Sequence, residues 1–160
     1  MAVVIGLDLG EKRVGVAASD PEGLLAFPVG LLDGSDEAAL LAAIEEVVQG
    51  RDASAVVIGL PRRLDGSIGA AAEKTLRFRA LLAARLGIPV ETWDERLTSA
   101  EAERLLRVAD GREDGKGGRP RRRTSSRPKG EKGRVDRIAA VLILQAYLDR
   151  SRRLSRDEGA

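Results

Sequence analysis

The 160-residue chain contains no cysteine and no histidine. Without cysteine there is no disulfide, no thiolate metal ligand and no thiol nucleophile, a usage that fits a reducing compartment. Without histidine the chain lacks the commonest general base and the imidazole on which many zinc sites depend. A metal site here must be made of oxygen donors alone, which points to Mg²⁺ or Mn²⁺. Aromatic residues are only 2% of the chain against a hydrophobic fraction of 43%, so the core is built from Leu, Val, Ile and Ala. No apolar run is long enough to span a bilayer, and no signal-peptide pattern follows Met1. The sequence therefore implies a cytoplasmic protein with no membrane partner.

What is present is unevenly charged. The total is +2, but Arg112 to Arg137 holds 11 Lys or Arg against 4 Asp or Glu, a local net of +7 that leaves −5 for the remainder. A basic block on an otherwise acidic domain is a candidate phosphate-binding element, and equally the composition of a solvated loop. The length fits one α/β domain over residues 1–150, with 110–134 as a flexible basic loop and 151–160 as a disordered tail.

Hydrophobic patterning gives the order of elements. Val3 to Leu9 is a near-continuous apolar run and reads as a buried strand; Val14 to Ala18 returns from a turn at Gly10–Arg13 as its hairpin partner. Leu24 to Leu31 is a third strand, which Pro28 confines to an edge or a short piece. Ala38 to Val48 is helical, with start signals in Asp33 to Asp36 and a stop at Gly50. Ala55 to Leu60 is a strand ended by Pro61. Ala70 to Leu86 is a helix closed by Gly87, and Ile88 to Trp93 is a further core strand. Thr98-Ser99-Ala100-Glu101 matches a capping box and predicts a helix from Ser99 to Val108. Val135 to Leu148 is apolar on nearly every side and predicts a largely buried helix. Three strands followed by alternating helices and strands imply an α/β fold with a mixed five-stranded sheet flanked by helices.

Three acidic positions stand out against this frame. Asp8 lies inside a buried strand, where a charge is costly unless it is paired or bound to metal. Alternation places it on the face of Val4, Gly6 and Gly10, and the glycines leave space beside it. The alternative is a strand-end Asp that accepts backbone N–H bonds. Asp94 and Glu95 fall at the C-terminal end of a strand, where ligands collect in open α/β sheets, although acidic residues are common between strands and helices. Asp136 begins the last helix, with Ala139, Ala140 and Ile143 at helical spacing; it could equally serve the helix dipole. Together a strand, a second strand's end and a helix start could bring carboxylates to one pocket. That is what a pair of Mg²⁺ or Mn²⁺ ions, roughly 4 Å apart, needs to hydrolyse a phosphodiester.

The segments GLDLGEKRVGVAASD, VVIGLPRRLDGS, WDERLTSAEAE and VDRIAAVLILQAYLD resemble, in order and spacing, those of the YqgF/RuvX family from about Val4 to Asp149. The resemblance implies a ribonuclease-H-like fold and a nuclease that trims the 5′ end of precursor 16S rRNA. Cleavage of branched, Holliday-junction-like or single-stranded DNA is the alternative. Carried over, the family's acidic site falls on Asp8, Glu95 and Asp136 as catalytic and metal-binding residues, and so favours Glu95 over Asp94. The segment 110–134 matches no family motif and is longer and richer in Gly and Arg.

Around that site Lys12, Arg13, Arg62, Arg63, Arg96, Arg121, Arg122 and Arg123 are the candidates for contact with substrate phosphates. Each also has a plainer reading, as a solvated turn or, for Arg96, as a partner of Asp94 or Glu95. The expected partners are precursor rRNA, DNA and ribosomal particles, with the chain as a monomer or homodimer. Two other classes fit parts of the sequence. An ATP-binding protein of the actin-like and sugar-kinase type shares the core fold, but needs two such lobes. A non-catalytic RNA-binding module would gain nothing from carboxylates facing phosphates without metal.

Overall fold

The computed structural model describes residues 2–61, 68–95 and 131–158, with the side chains of the last segment described from residue 138 to residue 157. In chain order the elements are β1 (Val3–Leu9), β2 (Arg13–Ser19), β3 (Ala26–Asp33), α1 (Glu37–Gly50), β4 (Ala53–Leu60), α2 (Ala70–Leu86), β5 (Val90–Asp94) and α3 (Glu131–Glu158). The expected helix over 99–108 and most of the 110–134 loop lie outside the described residues.

The five strands form one mixed sheet in the order β3-β2-β1-β4-β5. β1 to β3 are an antiparallel meander, while β4 and β5 join β1 in parallel. Parallel neighbours need crossover connections, and α1 and α2 supply them. β3 is an edge strand, as Pro28 requires. The proline stands beside a register shift at Val16/Ala17, where its missing N–H costs no regular ladder bond.

α1 and α2 cover one face of the sheet. α1 starts at Asp36, whose side chain accepts a 3.3 Å bond from the Ala39 N–H. It buries Leu40, Ile44 and Val48, one stripe at helical spacing. α2 buries Ala72, Thr75, Phe78 and Leu82, and stops at Gly87 in the left-handed conformation. These side chains meet Ile5, Leu7, Val14, Val16, Val56 and Ile58 from the sheet. Full burial of each large apolar side chain stabilises the fold by roughly 1.5–3 kcal/mol.

Among the described residues α3 covers the other face, packing Ala140, Leu144 and Leu148 on Ala17 and Val57. The helix lies so close to the sheet that a Cβ on Gly6 would stand 2.7 Å from Leu144 Cβ. Gln145 fixes the start of β3, accepting from the Ala26 N–H at 3.0 Å and donating to the Leu24 carbonyl at 2.9 Å. α3 departs from the sequence reading at both ends. It takes in residues 131–134, assigned above to the loop, and continues through 151–158, expected as a disordered tail. Those last turns are charged rather than apolar, and Arg152 bonds Asp149 one turn back. Such i,i+3 pairs support a helix without any core contact.

Candidate active site

Asp8 is the penultimate residue of β1, half-buried on the α3 face together with Val4 and Gly6. Two backbone features give it room. Across β2 it pairs with Gly15. On the β4 side, one residue beyond the last registered pair Leu7–Ile58, it meets Gly59. Gly59 in turn pairs with Trp93 of β5. The row Asp8, Gly59, Trp93 thus has a gap at its centre where β4 carries no side chain.

The side chain of Glu95, the residue after β5, fills that gap. Its Oε1 lies 2.9 Å, and its Cγ 3.3 Å, from the position a Cβ on Gly59 would occupy, and Ile143 of α3 closes the same space at 2.5 Å. There Glu95 makes a side-chain hydrogen bond with Asp8. Its carboxyl is held above the ordinary carboxylate range, chiefly by burial and further by the charge of Asp94, while the bond to Asp8 pulls the other way. The two carboxyls therefore face each other across the C-terminal end of β4, which lies between their strands, in surroundings that resist their both being ionised.

The donor set fits a hard divalent cation: carboxylate oxygens only, in a chain with no imidazole or thiolate. Asp8 and Glu95 would be its ligands. Among the described residues no three Asp or Glu stand together as a metal-binding group. Asp136 falls within α3, four residues before Ala140, but its side chain lies outside the described residues.

The basic candidates separate in the same way. Lys12 and Arg13 are exposed in the β1–β2 turn and at the start of β2, at the same end of the sheet as Asp8. They line an open groove with Leu31, Leu32, Asp33 and Ser35. Arg62, Arg63, Arg96, Arg121, Arg122 and Arg123 lie outside the described residues.

The sequence did not reveal how Glu95 reaches Asp8: Gly59 shows its role only once β4 is seated between β1 and β5. Nor did it reveal the support beneath the site. Trp93 and Tyr147 meet edge to face, centroids 6.3 Å apart at 89°. Burial, the hydrogen bond to Glu91 and the charge of Glu91 push the Tyr147 hydroxyl up to about 12.

A mixed sheet of this order, helices on both faces and an acidic residue near the end of its central strand define a ribonuclease-H-like fold. Solved structures agree. "T. thermophilus RuvC in complex with Holliday junction substrate" matches with a TM-score of 0.59 at 18% identity, covering 94% of this chain and 97% of that one. The fowlpox virus resolvase, solved in a "substrate Holliday junction DNA complex", matches at 0.51 and 10% identity, covering 92% and 97%.

The chain belongs to the RuvX family, whose model, described as "Holliday junction resolvase", matches residues 2–150. Among its relatives, a protein of Pelotomaculum thermopropionicum named "Putative pre-16S rRNA nuclease" is 42% identical over 98% of this chain and 92% of its own length. A relative of the same name from Koribacter versatilis is 38% identical over 97% and 91%.

Proposed function

We propose that this chain is a divalent-metal-dependent nuclease that hydrolyses phosphodiester bonds and trims the 5′ end of precursor 16S rRNA in the cytoplasm, on or near ribosomal particles. The observation that carries the chemistry is the half-buried Asp8–Glu95 carboxyl pair over Gly59. The names of relatives sharing about four residues in ten over most of the chain support the substrate. Among the described residues no helix is long and apolar enough to cross a membrane.

In this reading Asp8, Glu95 and Asp136 hold Mg²⁺ or Mn²⁺. When bound, the ions supply a nucleophile at neutral pH and positive charge for the leaving oxygen. The chain's own groups do the rest. Burial of Glu95 between Gly59 and Ile143 fixes its carboxyl and excludes bulk water from that side. Lys12 and Arg13, exposed at the site's end of the sheet, take phosphates of the bound strand. Arg62, Arg63, Arg96, Arg121, Arg122 and Arg123 extend that contact. A second reading, the same chemistry on branched or single-stranded DNA, is favoured by the family model's description and by the fold shared with resolvases.

Purified protein assayed on precursor rRNA, single strands and four-way junctions, with and without Mn²⁺, separates the two substrates. Asp8→Asn keeps the shape and removes the charge. It is expected to abolish metal-dependent cleavage while circular dichroism stays native. Near-native cleavage by the folded variant would sink the assignment.

A further inference from the structure

On the face of the sheet opposite the carboxyl pair, but at the same end, a cavity of about 140 Å³ opens between the first turns of α1 and α2. Leu9, Val14 and Phe78 give it an apolar wall, and Glu11, Glu37 and Lys74 carry charge around it. Leu9 follows Asp8 directly in β1, so the cavity and the candidate site share one strand end. None of the residues that line it has a part in the chemistry proposed above. We propose that it receives a single-ring base, cytosine, from an unpaired stretch of the substrate strand, making Phe78, Glu11 and Glu37 specificity-determining residues. This rests on the nucleic-acid reading of the site.

Size selects the ring. A cavity of roughly 150 Å³ with apolar walls accommodates one benzene, so this one suits a six-membered base and is tight for a fused purine. Phe78, 6% exposed at its wall, offers the aromatic surface on which bases stack. Charge selects the base. Two carboxylates to one ammonium leave the lining net negative, which disfavours an anion as the inserted group and favours a ring with a donating edge. Glu and Asp accept from the cytosine N4 amine, whereas uracil presents a carbonyl at that position. Lys74, exposed on α2, is left to meet the phosphate outside. Position explains the use of such a pocket. A strand whose scissile phosphate lies at Asp8 passes the mouth within a few nucleotides, so a base seated there sets the register of the cut.

The test uses full-length protein in EDTA, so that nothing is cut, and a short labelled oligoadenylate RNA in which one cytosine is moved along the strand. A cytosine at one particular position is expected to tighten binding about tenfold over adenine there, the discrimination that a well-made base-edge hydrogen-bond contact gives. Ala71 is exposed and lines the cavity, and leucine is nearly as good a helix former. Ala71→Leu should fill the cavity and erase the preference. Ala84→Leu, farther along the exposed surface of the same helix, should keep it. Glu37→Gln, also at an exposed position, should weaken it and gives a second reading should Ala71→Leu disturb the fold. Binding that is uniform over all positions, or a preference that survives cavity filling, overturns the base pocket and leaves the nuclease reading intact. Failure to bind any strand, in EDTA and equally with Ca²⁺ in its place, overturns both. Cytidine monophosphate binding as tightly as the strand would make the cavity a free-nucleotide site and overturn its role in reading substrate.

Discussion

Two carboxyls in contact, partly withdrawn from water, carry between them one proton more readily than two negative charges. That property gives Glu95 a pH signature. Its carboxyl titrates above the ordinary value of 4.5, first because it is buried. Between 4.5 and the raised value the native state binds more protons than the unfolded chain. Glu95's contribution to stability is therefore complete below 4.5 and is lost as pH rises through the raised value. In EDTA, the urea midpoint of the wild type should fall over that window, and Glu95→Gln should flatten the fall; an equal slope in both would place the titrating group elsewhere. Metal binding has the opposite sense, since it needs the ionised pair, so cleavage should decline as pH falls through the same range. Glu95→Gln should also cost more activity than Asp94→Asn, because Glu95 is the carboxyl that reaches Asp8; the reverse order in kcat/KM would put Asp94 in the site. Asp8 was legible in the sequence because a charge inside an apolar strand demands a reason. The choice between Asp94 and Glu95 was not legible in the spacing, because adjacent residues leaving a strand point different ways; the family resemblance favoured Glu95, and the seat over Gly59 supplies a physical reason for that preference.

Among the elements, β4 shows how little side chain a site can require. Gly59 is the floor on which Glu95 rests and the point where Ile143 of α3 comes closest. Gly59→Ala must displace one or both, and overpacking of this kind costs about 1–3 kcal/mol. Its expected mark is a lower thermal midpoint together with lost cleavage. Ala55→Gly, on the same strand away from the site, should lower stability with cleavage retained at temperatures where the protein is folded. Cleavage unaffected in folded Gly59→Ala would show that Glu95 can move without consequence. The strands and the first two helices were readable from apolar runs, caps and the stop at Gly87, whereas Gly50, expected to end α1, is its last helical residue and Arg51 is the cap. The limits of α3 were not, because its two ends differ in kind from its middle. The apolar stretch announces itself by burial, whereas residues 131–134 and 151–158 extend the helix with polar side chains and no periodic signal. For β3, Pro28 left an edge strand or a short piece open, and the structure shows an eight-residue edge strand.

For the molecule as a whole, charge and chain order matter most. The net +7 between Arg112 and Arg137 faces a remainder of −5, so attraction for nucleic acid should come mainly from one segment. Replacing Arg121, Arg122 and Arg123 together with Gln should weaken binding of all sequences alike. It should also flatten the salt dependence by roughly one unit of slope per lost phosphate contact, with little change in the rate at saturating substrate. An unchanged affinity and salt slope would move the binding surface to Lys12, Arg13, Arg62 and Arg63. Chain order bears on α3, which among the described residues is the element that covers the face carrying Asp8. It is synthesised after all five strands, yet it packs on β1, the first of them. A growing chain folds from its N-terminal side, so Gly6 and its neighbours must wait for Leu144. A protein stopped at residue 130 is expected to bind a hydrophobic dye and to cut nothing; an active, dye-silent fragment would contradict this. On the proposed function, a nuclease whose last helix closes its site stays unarmed for most of its own translation.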